Sequence, residues 1–523
     1  MKKLFILLFF FAFNHCLKSQ TFEKLIADNW FFCENKTDNW HKAKVPGCQY
    51  TDLMSNNLIP DPFYADNEVK LDTLNRKNWN YKCNFNVSDT FLSKKNVILR
   101  FEGLDTHCDI YLNNKFLGTT DNMFRVWEFH VEKYLKPDSN ILLLVFTSPV
   151  IKDSLNALKL PYSLPDSRAF SRKAQYQYGW DWGPKLLTTG IWKPVKLIAY
   201  DNIRVEDVFF NQLNINSKSA ELQLEIELSS EKNNRLWIEL IDNNSNSRIL
   251  LKKIKITKGK NIIKLPYNIE NPILWMPNGT GNPYLYNFGL LIKRNQGTVY
   301  EKNFEIGLRK IELIKEKDSI GESFYFKVNS KPVFIKGANY VPLHSFPTEV
   351  TNNDYEDIIE KAKNANMNML RVWGGGIYEN DYFYSLCNRN GILVWQDFMF
   401  ACNMYPGDSN FIENVENEAI DNIKRLRNNA CIALWCGNNE IDEGWHNWGW
   451  QKQFNYTELD SIKIWNDYKY LFDNILPRTI KKLNLKSDYI SSSPKFGWGR
   501  KESMTHGDSH YWGVWWGMEP FEK

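Results

Sequence analysis

The sequence lacks any block rich in lysine and arginine, and its formal net charge over 523 residues is only +4. Nucleic-acid-binding proteins concentrate basic charge on one face or along one helix, so a nucleic-acid partner is not expected. The nine cysteines include no CxxC pair and form no Cys/His cluster with the spacing of metal ligands. We therefore expect buried free thiols, no metal site and no cofactor.

Long apolar runs are also absent after the beginning of the chain. Two lysines precede an apolar run over residues 4–13, and a cleavage point fits near Ser19. This is the pattern of a signal peptide over residues 1–19, and the run is too short for a membrane-spanning helix. Cys16 raises the alternative of a lipoprotein anchor, but the residues before it are not small. The pattern predicts an exported protein without a membrane span: periplasmic or secreted in a bacterium, lysosomal in a eukaryote.

Aromatic residues are abundant, at 15% of the sequence with 20 Trp among them. Tryptophan and tyrosine often fill large cores, and they also line pockets for ligands with flat apolar faces, such as sugars. Composition leaves both interpretations open. Hydrophobic residues at 43% and charged residues at 24% are typical of globular domains, and 523 residues suffice for three domains.

The spacing of apolar residues along the sequence divides the chain into three parts. Residues 20–200 contain many short predicted strands with little helical periodicity, which favours a β-sandwich. Residues 201–312 continue as strands, and residues 220–228 alternate apolar and polar side chains as a half-buried antiparallel strand does. A stretch of about 110 residues of this kind suits an immunoglobulin-like sandwich.

Residues 313–523 change to strands that alternate with helices, the pattern of βα units around a parallel sheet. Gly374 begins a GGG run after one strand, but no GxGxxG motif completes it, so a (β/α)8 barrel is favoured over a dinucleotide-binding fold. We count about six barrel strands, whereas a closed barrel of this kind needs eight. Strands are predicted at 333–336, 369–373, 392–395, 431–435 and 504–511, and helices at 352–366, 381–388, 414–427 and 459–483.

Glu440 is the strongest candidate for a catalytic residue. In barrel enzymes the side chains at the carboxyl ends of the strands form the active site, and Glu440 follows an apolar strand, a WCG turn and two amides. A carboxyl crowded by tryptophan is partly desolvated, which raises its pKa and suits it to donate a proton near neutral pH. The alternative is a structural Glu at the start of the next helix, stabilised by the helix dipole.

Several motifs resemble those of the β-mannosidases of glycoside hydrolase family 2. The segment WCGNNE at residues 435–440 resembles their acid/base motif, and QYQYGWDWGP at 175–184 resembles a segment that their first sandwich sends into the active site. These two segments are the most specific elements of the resemblance. Other matches are LWMPNG at 274–279, IGLR at 306–309, RVWGGG at 371–376, WQDFMF at 395–400 and HYWGVW at 510–515.

The resemblance implies a multidomain β plus α/β protein: a galactose-binding-like jelly-roll sandwich, an immunoglobulin-like sandwich and an incomplete (β/α)8 TIM barrel. It implies an exo-acting retaining hydrolase that removes terminal β-D-mannose from oligosaccharides or glycans without a metal or a cofactor. Glu440 would be the general acid/base, and Asn439 would bind the hydroxyl next to the reacting carbon. The other residues implied in substrate binding are Trp180 and Asp181, which would wall the mannose subsite, and Arg371, Trp373, Trp395 and Tyr511, which would position the sugar.

Retaining glycosidases need a second carboxylate, about 5–5.5 Å from the first, as nucleophile. The resemblance implies a Glu at the end of the seventh strand, which we expect beyond Lys523, because neither Glu519 nor Glu522 matches its motif. Two interpretations stay open: part of an active β-mannosidase, or a product that lacks its nucleophile and is at best a carbohydrate-binding remnant.

Two further alternatives concern specificity and individual residues. Within the same family, β-galactosidase or β-glucuronidase activity is the nearest alternative to β-mannosidase activity. Arg371 could be a buried strut that bridges carboxylates in the barrel instead of a sugar ligand. Asp397, at the end of the third predicted strand, could likewise be structural.

Overall fold

The first part of the chain is a sandwich of two antiparallel sheets. The computed structural model describes residues 21–295, 297–483 and 486–522, so the predicted signal peptide lies outside the described residues. The first ten strands are β1 (Phe22–Leu25), β2 (Trp30–Glu34), β3 (His41–Lys42), β4 (Trp79–Phe85), β5 (Asn96–Phe101), β6 (His107–Leu112), β7 (Lys115–Asp121), β8 (Trp127–His130), β9 (Asn140–Thr147) and β10 (Val195–Tyr200).

These strands pair in the orders β1-β10-β5-β8 and β3-β2-β4-β9-β6-β7. The two sheets share one core because each strand turns alternate side chains inward. In β9, for example, Leu142, Leu144 and Phe146 are buried in this core. The helices in the connections are α1 (Gln49–Ser55), α2 (Asn67–Lys70), α3 (Asp89–Leu92) and α4 (Pro149–Ala157).

The second part is a smaller sandwich of seven strands. They are β11 (Ile203–Ile215), β12 (Ser219–Ser230), β13 (Asn234–Asp242), β14 (Ser247–Ile256), β15 (Gly259–Glu270), β16 (Tyr286–Arg294) and β17 (Gly297–Ile306). The sheets β11-β12-β15 and β14-β13-β16-β17 give the three-plus-four arrangement of an immunoglobulin-like sandwich. The alternation predicted over residues 220–228 is confirmed, since Leu222, Leu224 and Ile226 in β12 are fully buried.

The third part contains a parallel sheet covered by helices. A small antiparallel sheet of β18 (Ile311–Ile314), β19 (Tyr325–Val328) and β20 (Lys331–Val333) precedes it. The parallel strands, in sheet order, are β21 (Gly337–Tyr340), β22 (Met369–Val372), β23 (Leu393–Asp397), β24 (Ile432–Cys436) and β25 (Asp488–Ile490). The helices are α5 (Asn352–Asn364), α6 (Asp381–Asn390), α7 (Ser409–Leu426), α8 (Ile441–Asn447), α9 (Trp450–Gln453), α10 (Glu458–Lys469) and α11 (Leu476–Leu483).

The predicted helix over 459–483 is confirmed as one helical run, in which a π-helical stretch at Tyr470–Ile475 joins α10 to α11. Every residue of β22, β23 and β24 is buried, as expected for a parallel sheet with both faces covered. None of the helices in the described part of the chain is long and apolar enough to cross a membrane. The predicted domain boundaries stay predictions.

Two predicted barrel strands are wrong. The first was expected at 333–336, but Phe334 is 85% exposed, and the first parallel strand is β21. The last was expected at 504–511, where the structure has a 3-10 helix at Lys501–Met504 followed by turns. There the Asp508 carboxylate accepts hydrogen bonds from Ser493 Oγ at 2.5 Å and from Lys495 N at 3.0 Å, which favours a polar loop. The parallel sheet therefore has five strands among the described residues.

The state of the described cysteines agrees largely with the prediction of buried free thiols. Eight of them lie in the described residues and all eight are free. Seven are buried, whereas Cys402 is partly exposed. No group of three or more His, Cys, Asp and Glu side chains in the described ranges is arranged to hold a metal ion.

A segment of the first sandwich extends onto the barrel. The Tyr176 amide donates to the Gly375 carbonyl at 2.9 Å, and the Asn403 side chain donates to the Asp166 carbonyl at 2.8 Å. These contacts hold the segment against loops that follow β22 and β23, at the carboxyl ends of the barrel strands. Trp180 is carried to the same edge of the sheet.

Gly391 offers a test of how the second sandwich packs on the barrel. It ends α6 in the left-handed region, with φ of 70°, and a Cβ at this position would lie 2.7 Å from the Asn278 backbone nitrogen. We expect G391A to lower the free energy of unfolding by about 2–4 kcal/mol, the sum of backbone strain and steric overlap. G449A is the matched control, because Gly449 has φ of 72° and no atom within 4 Å of a Cβ. Chemical denaturation measures both variants, and equal losses would contradict the predicted overlap.

Candidate active site

Glu440 lies at the carboxyl end of β24, where α8 begins. Its backbone is in the left-handed region, with φ of 60° and ψ of 17°, and its amide donates to the Ser493 carbonyl at 2.9 Å. Non-glycine residues held in this region concentrate at functional sites. Within the described residues of α8, no backbone amide donates a capping hydrogen bond to the Glu440 side chain. Glu440 does lie at the start of α8, so the alternative of a structural Glu stabilised by the helix dipole stays open.

Both carboxylate oxygens of Glu440 have hydrogen-bond partners. His510 Nδ1 lies 2.9 Å from Oε1, while Cys402 Sγ and Asn439 Nδ2 donate to Oε2 at 3.5 and 3.2 Å. Burial acts to raise the pKa of Glu440, but the hydrogen bond and charge of His510, with smaller effects of Cys402 and Arg371, lower it below its ordinary value. The predicted rise in the pKa is therefore wrong, because sequence reasoning considered desolvation without these partners.

Arg371 is the centre of a buried polar network beside Glu440. Its guanidinium donates to Asp397 Oδ2 at 2.7 Å and to Asp397 Oδ1 at 3.3 Å. It also donates to Asn439 Oδ1 at 3.0 Å and to Asn339 Oδ1 at 3.2 Å. Burial raises the pKa of Asp397, and Arg371 opposes that rise. Arg371 is thus a buried strut, but it binds one carboxylate and two amide oxygens where several carboxylates were expected. Its bond to Asn439 Oδ1 leaves the Nδ2 end of that amide facing Glu440.

Three tryptophans form a compact aromatic group at this edge of the barrel. Trp373 is buried, and the Trp180 ring packs edge-on against it with centroids 4.8 Å apart. Trp182 also contacts Trp373, at 5.8 Å between centroids, and stacks on Tyr176. The structure thus brings together Trp180 and Trp373, two of the predicted binding residues, and adds Trp182, which is 42% exposed and was not predicted.

The other predicted binding residues, Trp395, Asp181 and Tyr511, differ from one another in burial and in their contacts. Trp395 is buried and its indole Nε1 donates to Asp397 Oδ1 at 3.0 Å, so its polar atom is engaged inside the barrel. Asp181 is exposed beside Trp180. Tyr511 is 55% exposed, and its hydroxyl donates to Glu519 Oε2 at 2.5 Å. Trp395 thus joins the network of Arg371 and Asp397, whereas the Tyr511 hydroxyl is engaged by Glu519 close to the end of the sequence.

Sequence reasoning missed His510 and Cys402 as partners of Glu440. A signal for His510 was present, because it begins the HYWGVW segment at a predicted strand end. Cys402 gave none, since a single cysteine without a partner motif is most often a small buried apolar residue. Only the fold brings it to Glu440, through a backbone hydrogen bond from the Cys402 amide to the Asn439 carbonyl at 3.0 Å.

Comparisons with known proteins agree with this architecture. The model described as glycosyl hydrolase 2 galactose-binding domain-like matches residues 30–193, and the model described as glycosyl hydrolases family 2 matches residues 203–309. The crystal structure of β-D-mannosidase from Dictyoglomus thermophilum is 41% identical with a TM-score of 0.89, covering 95% of this chain and 61% of that chain. These matches confirm the predicted fold class.

Curated relatives extend the similarity over almost the whole chain. Beta-mannosidase B of Aspergillus terreus is 32% identical over 518 residues, which cover 95% of this chain and 60% of that protein. Beta-mannosidase of Rattus norvegicus is 34% identical over 506 residues, covering 90% and 56%. The chain thus spans about 60% of the length of the curated relatives it matches. With two family models and these relatives in agreement, the chain belongs to glycoside hydrolase family 2.

Proposed function

We propose that this chain is the acid/base-bearing part of an exo-acting retaining β-mannosidase that removes non-reducing terminal β-D-mannose from oligosaccharides or glycans. The observation that carries the proposal is Glu440 at the carboxyl edge of the parallel sheet, with both oxygens hydrogen-bonded and an aromatic group at the same edge. The similarity to proteins named β-mannosidase supports mannose as the sugar.

In the proposed mechanism Glu440 first donates its proton to the glycosidic oxygen as the bond to the anomeric carbon breaks. In the second step its carboxylate removes a proton from the water that hydrolyses the glycosyl-enzyme. The nucleophile that forms this intermediate stays a prediction: a Glu expected beyond Lys523. Glu440 alone supplies the proton transfers, a contribution of roughly 10²–10⁴-fold in rate.

Asn439 suits the proposed contact with the sugar hydroxyl next to the reacting carbon. Its Oδ1 is occupied by Arg371, and its Nδ2 points towards Glu440 Oε2. The amide would therefore donate to a hydroxyl oxygen instead of accepting from one. The group of Trp180, Trp182 and Trp373 would pack against the apolar face of the pyranose.

The export of the protein is also a proposal, which the charged and apolar residues at the start of the sequence support. Signal cleavage would leave a mature chain that begins near Gln20. The mass of the protein recovered from its native source measures this directly, and an uncleaved amino terminus would contradict it.

The substrate is tested with the chain and with a version extended by the codons downstream of Lys523. Both are assayed on the 4-nitrophenyl β-glycosides of mannose, galactose and glucuronic acid. We expect the extended version to hydrolyse the mannoside with retention of anomeric configuration. Hydrolysis of the galactoside or the glucuronide alone would overturn the proposed substrate, and hydrolysis of none would overturn the proposed activity.

The pH dependence tests the contact between His510 and Glu440. A general acid acts while protonated, so kcat/KM falls as the pH rises through the pKa of Glu440. His510 lowers this pKa, and H510A is therefore expected to move the alkaline limb of the profile to higher pH. The matched control is H506A, since His506 bonds Thr505 and packs on Phe496 in the same segment. An unmoved limb in H510A would show that the contact does not set the pKa.

A further inference from the structure

Two adjacent buried cations of the first sandwich, Arg172 and Lys173, form ion pairs that point to different parts of the molecule. Lys173 Nζ lies 2.5 Å from both carboxylate oxygens of Asp105 and donates to the Thr188 carbonyl at 2.8 Å, so its contacts stay within the sandwich. Arg172 instead reaches into the barrel and pairs with Glu418 of α7. Its side chain and that of Glu418 are each only 1% exposed.

The guanidinium of Arg172 makes three hydrogen bonds across this boundary. Nε and Nη2 donate to the two oxygens of Glu418 at 2.8 and 2.7 Å, the bidentate geometry that orients an arginine firmly. Nη1 donates to the Met399 carbonyl at 2.8 Å, and the guanidinium lies 3.8 Å from the centroid of the Phe400 ring. Arg172 therefore holds the loop that follows β23 by its backbone and by a ring.

This loop in turn holds the backbone next to Glu440. The Phe400 carbonyl accepts from the Asn439 amide at 2.9 Å, and the Cys402 amide donates to the Asn439 carbonyl at 3.0 Å. The Cys402 thiol also donates to Glu440 Oε2 at 3.5 Å. One continuous set of contacts thus leads from Arg172 through residues 399–402 to the carboxylate.

We propose that Arg172 is a positioning residue for Glu440, by which the first sandwich sets the place of the acid/base carboxylate in the barrel. The inference rests on the proposed role of Glu440 in proton transfer. It does not require Arg172 to touch the substrate. Lysine cannot replace it, because an ammonium group lacks the planar fork that binds Glu418 and the Met399 carbonyl together.

The kinetic test compares two mannosides in the extended enzyme. The 2,4-dinitrophenolate leaving group departs without protonation, whereas an alkyl or unsubstituted phenyl aglycone needs the proton of Glu440. We expect R172K to lower kcat/KM about 10- to 100-fold on phenyl β-mannoside, the effect of a displaced catalytic group, and less than about threefold on the dinitrophenyl mannoside. A purely structural role would lower both values by the same factor, and that result would overturn the inference.

K173M is the matched control, because it disrupts a buried ion pair at the next residue without altering a contact to the barrel. Both variants are assayed well below their thermal midpoints, and K173M is expected to leave the ratio of the two activities unchanged. If the enzyme hydrolyses a different glycoside, the proposed substrate fails, and the same ratio is then measured on that glycoside.

A second measurement needs no activity and uses the chain as it is. Hydrogen exchange at the Asn439 and Cys402 amides reports the two backbone bonds between the loop and the Glu440 segment. Exchange at both amides is expected to be at least about tenfold faster in R172K than in the wild type, and unchanged in K173M. Unchanged exchange in R172K would overturn the inference even if the enzyme proved inactive.

Discussion

Replacing Glu440 by Gln is expected to lower kcat/KM on phenyl β-mannoside by roughly 10²–10⁴-fold in the extended enzyme, because an amide cannot donate the proton that the leaving group needs. On the 2,4-dinitrophenyl mannoside the first step, formation of the glycosyl-enzyme, should proceed nearly as in the wild type. Hydrolysis of the glycosyl-enzyme should become slow, because the general base is missing. Added azide should restore turnover and give a mannosyl azide of retained configuration, since azide needs no general base. Steady-state kinetics and product analysis measure these effects.

The control for this variant is Glu443→Gln. Glu443 lies three residues along the chain in α8, is buried whereas Glu440 is partly exposed, and accepts a hydrogen bond from the Asn447 side chain at 2.7 Å. E443Q should keep most of the wild-type activity on both substrates. Comparable losses in both variants, or a normal rate for E440Q on phenyl β-mannoside, would remove Glu440 from the acid/base role.

The second large effect is expected for Arg371→Met. Methionine fills much of the same volume but leaves the fully buried Asp397 carboxylate without its cation and frees Asn439 Oδ1. Breaking a buried pair on one side typically costs about 3–5 kcal/mol, so a loss of this size in the free energy of unfolding of the barrel is expected. Urea denaturation followed by tryptophan fluorescence measures it.

The double variant R371M/D397N separates the ion pair from the packing. Removal of both charges should recover a large part of the stability lost in R371M, because the uncompensated carboxylate is gone. A loss below about 1 kcal/mol in R371M would contradict the strut and leave sugar binding as the main role of Arg371.

The parts of the fold that follow from local pattern could be predicted from sequence. Alternation over residues 220–228 predicts β12 because one face of that strand is apolar, and the buried runs at 369–373 and 431–435 predict β22 and β24 because both faces are covered. The placement of Glu440 follows from the same reasoning, since strand ends gather at one edge of a parallel sheet. The family resemblance supplied Trp180 and Trp373 as candidate site residues, and their contact is seen only in the structure.

Features that depend on distant contacts could not be predicted in this way. The pKa of Glu440 is lowered by His510, which lies 70 residues further along the chain and within a segment expected to be a strand. The first barrel strand was misplaced by a few residues because the apolar side chain of Phe334 is exposed. Arg172 carries no local signal, since it stands beside Lys173 in a basic stretch and such residues are most often at the surface.

The ion pair of Arg172 and Glu418 also constrains the order in which parts of the chain can fold during synthesis. The two residues are 246 positions apart, and ribosomes add roughly 5–20 residues per second, so Arg172 is added to the chain roughly 12–50 s before Glu418. During that interval Glu418 is not yet available to Arg172, so the segment that carries Arg172 cannot take its final place. The sheets of the first sandwich can form early, but the segment that it extends onto the barrel can pack in its final position only after α7 has been translated.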